Sequence, residues 1–202
     1  MSVDAIVHTE FPRGYTVLFG ADGKVILTPQ SEEHSSTIRS MQIDSALTLG
    51  RHAKVTSDVC IDFPADENSA PDFAILREDA RKEGKRYSFE DVLLISEVVS
   101  TSSARKDYDD CTAKYGRYGI PVYLIVDPYA QEVVLHTQPT ATGYIAAHTH
   151  KYGTGKLPVL LADGRTFTLD LDELPRPESE APAASGSADY PPCGRGARSG
   201  RR

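Results

Sequence analysis

The sequence predicts an α/β protein built on a mixed central β-sheet flanked by helices. It opens with an N-terminal hairpin and closes with a C-terminal antiparallel meander. Three observations carry that expectation. Two near-continuous apolar runs, Val92–Ile95 and Val122–Val126, read as strands buried on both faces. A segment with helical spacing separates them, the pattern of a right-handed crossover between parallel strands. Asp-Gly pairs at Asp22-Gly23 and Asp163-Gly164 each lie between short strand-like runs, a strong hairpin-turn signal.

Taken in order, Tyr15–Phe19 and Lys24–Thr28 flank Gly20-Ala21-Asp22-Gly23, and Pro29 stops the second strand. Ser31 caps a helix with Glu32 and Glu33 in its first turn. Ile38, Met41, Ala46 and Leu49 are its apolar stripe. A strand is expected near Val55 to Phe63, then a loop over Pro64–Ser69. The run Pro71-Asp72-Phe73-Ala74-Ile75-Leu76 is the next strand. After it, Arg77–Arg86 interleaves basic and acidic residues as a solvated segment does.

Asp91–Ser100 is a strand interrupted by Glu97, and Ser100-Thr101-Ser102-Ser103 starts a helix from about Ala104 to Tyr118. Tyr108, Cys111, Tyr115 and Tyr118 share its spacing, and Gly119 ends it. Ile120–Asp127 is the second buried strand, with Pro121 at its beginning. The meander comprises Val133–His136, Tyr144–Ala147, Leu157–Leu161 and Thr166–Leu169. Beyond about Pro175 the chain is rich in Pro, Ala, Ser and Gly and turns basic at Arg195, Arg198, Arg201 and Arg202. The expected division is a domain over residues 1–175 and a disordered tail over 176–202.

Composition narrows the function classes. At 202 residues, the chain is long enough for one domain with a sizeable core. No stretch approaches the ~18 apolar residues of a membrane span, and Met1–His8 lacks the features of a signal peptide. The expectation is a cytoplasmic protein with no membrane partner. A net charge of −7 opposes wholesale coating of nucleic acid but leaves room for one local basic patch. Cys60, Cys111 and Cys193 form no Cys-x-x-Cys pair, which excludes a zinc ribbon or disulfide framework. No P-loop, Rossmann or Gly-x-Ser-x-Gly fingerprint is present.

The chemically informative residues are Asp72 and Glu97, two carboxylates set into runs that otherwise read as buried. Carboxylates are almost never buried without a partner. A divalent cation is the simplest shared partner, and hard oxygen ligands suit Mg²⁺ or Mn²⁺. The plain alternative has Asp72 capping a strand end and Glu97 pairing with Arg105 or Lys106. His148 and His150 alternate along one strand and, with His136, suggest a second metal site. Histidines displayed on an edge strand are the plainer reading.

Pro71-Asp72, Glu97-Val98-Val99-Ser100 with Ser102, Lys106-Asp107-Tyr108, Lys114-Tyr115 and Gly119–Asp127 together form a recognisable block. Thr28-Pro29-Gln30 with His34 adds to it upstream. On these residues the chain resembles the Uma-type restriction endonuclease family, within the PD-(D/E)XK nuclease superfamily, over about residues 14–172. The resemblance implies a restriction-endonuclease-like fold and a metal-dependent endonuclease that hydrolyses DNA phosphodiester bonds with Mg²⁺ or Mn²⁺. It makes DNA the partner and leaves a homodimer open.

By resemblance, Asp72 and Glu97 are catalytic metal ligands and the Val98 backbone carbonyl is a third. Lys114 is the catalytic charge stabiliser, with His34, Asp107 and Cys111 lining the cleft. Two departures stand out. Val99 occupies the position of the superfamily's usual lysine, and Cys111 the position of the family's usual helix lysine. Lys114 lies about 60° round the helix from Cys111. The acidic residue usual in the first hairpin is absent around Thr16–Leu18. The alternative reading is therefore a catalytically impaired nuclease-fold module that binds nucleic acid or protein without cleavage.

Overall fold

The structure is a computed structural model that describes residues 15–19, 25–29, 31–66, 69–100 and 106–177. The expected tail lies outside the described residues from residue 178 onward, as does the Gly20–Lys24 turn. Strands β1 (Tyr15–Phe19) and β2 (Val25–Pro29) pair antiparallel as the first hairpin. Helix α1 (Glu32–Thr48) follows, and the Ser31 hydroxyl accepts the His34 N–H at 3.2 Å as its N-cap.

The strand expected over Val55–Phe63 is instead two short ones, β3 (Val55–Thr56) and β4 (Ile61–Asp62), in different sheets. Asp58 interrupts them with a left-handed φ of 55°, its N–H donating to the Pro71 carbonyl at 3.0 Å. A non-glycine residue in that region cannot continue a ladder.

Strand β5 (Phe73–Leu76) leads to β6 (Tyr87–Ser88), which pairs with β4, and a single 3₁₀ turn, Phe89–Asp91, precedes β7 (Val92–Val98). The next helix enters through a π-helical turn, Lys106–Cys111, and continues as α2 (Thr112–Arg117). Then come β8 (Val122–Asp127), β9 (Glu132–Thr140), β10 (Gly143–Lys151), β11 (Lys156–Leu160) and β12 (Thr166–Asp170).

The main sheet has six strands in the order β10-β9-β8-β7-β5-β3, with β7 and β8 parallel and its other pairs antiparallel. The mixed sheet and the β7–helix–β8 crossover are as the sequence predicts. The last hairpin is not: β11 and β12 leave the main sheet as a separate pair. They cover α1, where the Asp170 N–H donates to Asp44 Oδ2 at 2.9 Å and the Thr168 N–H to Thr48 Oγ1 at 3.3 Å.

Strand alternation divides the core into two layers. Phe73 and Ile75 of β5, with Val122, Leu124 and Val126 of β8, face α1 and the β11–β12 hairpin. Ala74, Leu76, Tyr123 and Ile125 face α2. On α1 the buried stripe differs from the expected one. Thr37 and Ser45 are buried and Ala46 is exposed. Both hydroxyls fold back on main-chain carbonyls, Glu33 at 2.7 Å and Gln42 at 2.8 Å, so a polar residue can take an apolar position.

Candidate active site

The β5–β7 register pairs Phe73 with Ser96, which sets Asp72 opposite Glu97 where β5 begins. Pro71 lacks an N–H and suits a strand start. The Asp72 N–H donates to Glu97 Oε2 at 3.3 Å, and the Val98 N–H donates to Asp72 Oδ2 at 2.8 Å. One strand residue projects its N–H and C=O from the same edge, so the Val98 carbonyl faces the Asp72 side.

His34, buried in the first turn of α1, reaches the same oxygen: its Nε2 lies 3.1 Å from Asp72 Oδ2. A carboxylate only accepts, so Nε2 is the donor. From the other layer, the Tyr115 hydroxyl donates to Glu97 Oε1 at 2.6 Å. Burial, then the Glu97 charge, pushes the Tyr115 phenol well above its usual range, so it remains a donor.

Cys111 is buried against Tyr115. Lys114 Nζ donates to Ser69 Oγ at 2.8 Å and lies 4.6 Å from the Phe63 ring centroid. The Asp107 side chain lies outside the described residues. The structure thus gathers Asp72, Glu97, Val98 and His34 at one strand end, with Cys111 and Lys114 approaching through Tyr115 and Ser69.

Three participants are not picked out by the sequence reading. Tyr115 looks like one more apolar-stripe residue, and Ser69 like loop. Asp58 looks like a turn aspartate. Its carboxyl is pushed above its ordinary value by burial and then by the Asp72 charge, while His34 opposes the shift.

The histidine triad does not assemble. Strand pairing sets His136 opposite Ala147 and His148 opposite Leu135, so His136 projects from the face opposite His148 and His150. His136 stacks instead on Tyr123 and packs against Tyr144, with both ring centroids at 5.6 Å.

Among the described residues, no three His, Cys, Asp or Glu side chains form a ready-made metal cage. Mg²⁺ does not require one, because it keeps several waters and binds through one or two carboxylates. Opposed Asp72 and Glu97 with a main-chain carbonyl fit that chemistry.

The family model described as "Putative restriction endonuclease" (Uma2) matches residues 8–170. Among solved structures, a similar chain is described as "a putative nuclease belonging to DUF820 from Anabaena variabilis ATCC 29413". It superposes with a TM-score of 0.57 at 15% identity, over 79% of this chain and 89% of that one. At that identity the likeness shows the fold, an α/β nuclease-like sheet. No curated protein matches the chain.

Proposed function

This chain belongs to the Uma2 family, and we propose that it is an endonuclease that hydrolyses DNA phosphodiester bonds with Mg²⁺ or Mn²⁺. The observation that carries the reading is Asp72 opposite Glu97 on adjacent strands, each carboxylate oriented by donors from the fold. Asp72, Glu97 and the Val98 carbonyl would hold the cation. When bound, it supplies a more acidic water and neutralises charge on the phosphate.

The chain's own residues do the rest. His34 and the Val98 N–H fix Asp72 Oδ2, and Tyr115 fixes Glu97 Oε1, so neither carboxylate must reorganise during the reaction. Lys114 is the nearby cation to stabilise charge developing on the phosphate. The second reading, a nuclease-fold module that binds without cutting, is favoured by one observation: Val99 and Cys111 put apolar groups at both usual lysine positions.

Supercoiled-plasmid nicking separates the two. Wild type should nick with Mg²⁺ or Mn²⁺, and Asp72→Asn and Glu97→Gln should not. Lys114→Ala should lose about 10²–10³-fold, the typical worth of an oriented charge. Survival of activity in Lys114→Ala would move that role to Arg105 or Lys106. A wild type that never nicks, with Cys111→Lys equally inert, would establish the binding module.

A further inference from the structure

Lys114 and Glu97 are joined by two hydroxyl groups. Lys114 Nζ donates to Ser69 Oγ at 2.8 Å, Ser69 hydrogen-bonds the Tyr115 phenol, and Tyr115 donates to Glu97 Oε1 at 2.6 Å. An ammonium only donates and a carboxylate only accepts. The chain therefore runs one way, each hydroxyl accepting from the lysine side and donating towards the carboxylate. Hydrogen bonds aligned in this way polarise one another.

Each link is held by structure outside the chain. Ser69 is pinned by main-chain bonds to Ile61, at 2.7 Å through its carbonyl and 3.4 Å through its N–H. The loop before it is tied to the helix by an Arg117–Asp66 ion pair and by the Tyr118 hydroxyl on the Pro64 carbonyl. The Tyr115 ring is fully buried between Phe63, at 5.8 Å, and Tyr123, at 5.1 Å.

We propose that Tyr115 and Ser69 are positioning residues that couple the Lys114 ammonium to the Glu97 carboxylate. Tyr115 occupies Oε1 and leaves Oε2 on the Asp72 side for the cation, while Ser69 sets the lysine head at a fixed remove from it. This inference rests on the reading of Asp72 and Glu97 as cation ligands.

The test is a titration of the full chain with Mn²⁺ alone, following the melting temperature. Wild type should show a saturable rise that Asp72→Asn abolishes. Tyr115→Phe keeps the ring and should raise the half-saturating Mn²⁺ concentration about 10–100-fold, as loss of a hydrogen-bond partner of a metal ligand does. Ser69→Ala should fall between the two, and Ser69→Thr, which restores the hydroxyl, should return to wild type.

A merely structural role would lower the metal-free melting temperature and leave half-saturation in place. Half-saturation in Tyr115→Phe equal to wild type, with the Asp72→Asn loss intact, overturns the coupling alone. If Tyr115→Phe does not fold, equal half-saturation in Ser69→Ala and Ser69→Thr overturns it. A wild-type rise that is absent, or unchanged by Asp72→Asn, overturns the cation reading and the coupling with it.

Discussion

Asp72 Oδ2 accepts from His34 Nε2 and from the Val98 N–H at once, and Glu97 Oε1 accepts from Tyr115. Donors of this kind make part-buried carboxylates tolerable, because an unsatisfied charge costs far more to bury than a paired one. The two acids are legible in the sequence because each interrupts an apolar run. Their donors are not, since a hydroxyl on a helix stripe or in a loop carries no signal of what lies opposite.

His136 shows the same limit. Its ring is buried on Tyr123 against Tyr144, and burial lowers its pKa, with a weaker opposing hydrogen bond to the Tyr123 backbone. Burial also pushes the Tyr144 phenol up, so it stays neutral. A folded pKa below the unfolded value of about 6.5 means that the unfolded chain binds more protons in that window. Stability is then fully present above about pH 6.5 and falls as the pH drops towards the folded value. His136→Phe keeps the ring stack and should show a smaller fall in melting temperature between about pH 7.5 and pH 5 than wild type. An equal fall in both proteins would contradict this.

Among the elements, the helix before β8 is the most informative. Its spacing and its Gly119 terminus are legible, whereas the π-helical entry at Lys106–Cys111 is not, because an apolar stripe does not distinguish a widened turn from an α-helical one. The tightest contact in this region is between α2 and β10. A Cβ built on Gly116 would lie 2.1 Å from the Gly143 carbonyl oxygen, a backbone atom that no rotamer change can move aside. Gly116→Ala should therefore destabilise the fold by at least the ~1–3 kcal/mol typical of overpacking. Gly119, at φ +72° with open space around it, gives the contrast. Gly119→Ala should cost only the ~1–2 kcal/mol of a left-handed alanine. Urea unfolding of both variants checks the order, and a Gly116→Ala midpoint no lower than that of Gly119→Ala would contradict the packing account.

At the scale of the molecule, the six-stranded sheet brings its two apolar layers together at one place. Helix α1 delivers His34 from one layer, and α2 delivers Tyr115, Cys111 and Lys114 from the other. Asp72 and Glu97 lie between them at the strand ends. The sheet and its crossover are legible because strand periodicity and turn chemistry are local. The placement of β11–β12 over α1 is not legible: the alternating burial of Leu157, Val159, Phe167 and Leu169 says that one face is covered without saying by what.

The described helices include none long and apolar enough to cross a membrane. With a net charge of −7, DNA would have to be met through a local patch rather than a general field. The central claim is that Asp72 and Glu97 share one divalent cation, and the most direct measurement is anomalous scattering from a crystal soaked in Mn²⁺. A single peak within bonding distance, about 2.0–2.2 Å for hard oxygen ligands of this size, of both carboxylates and the Val98 carbonyl is the predicted result. Density elsewhere, or none between Asp72 and Glu97 at saturating Mn²⁺, would contradict it.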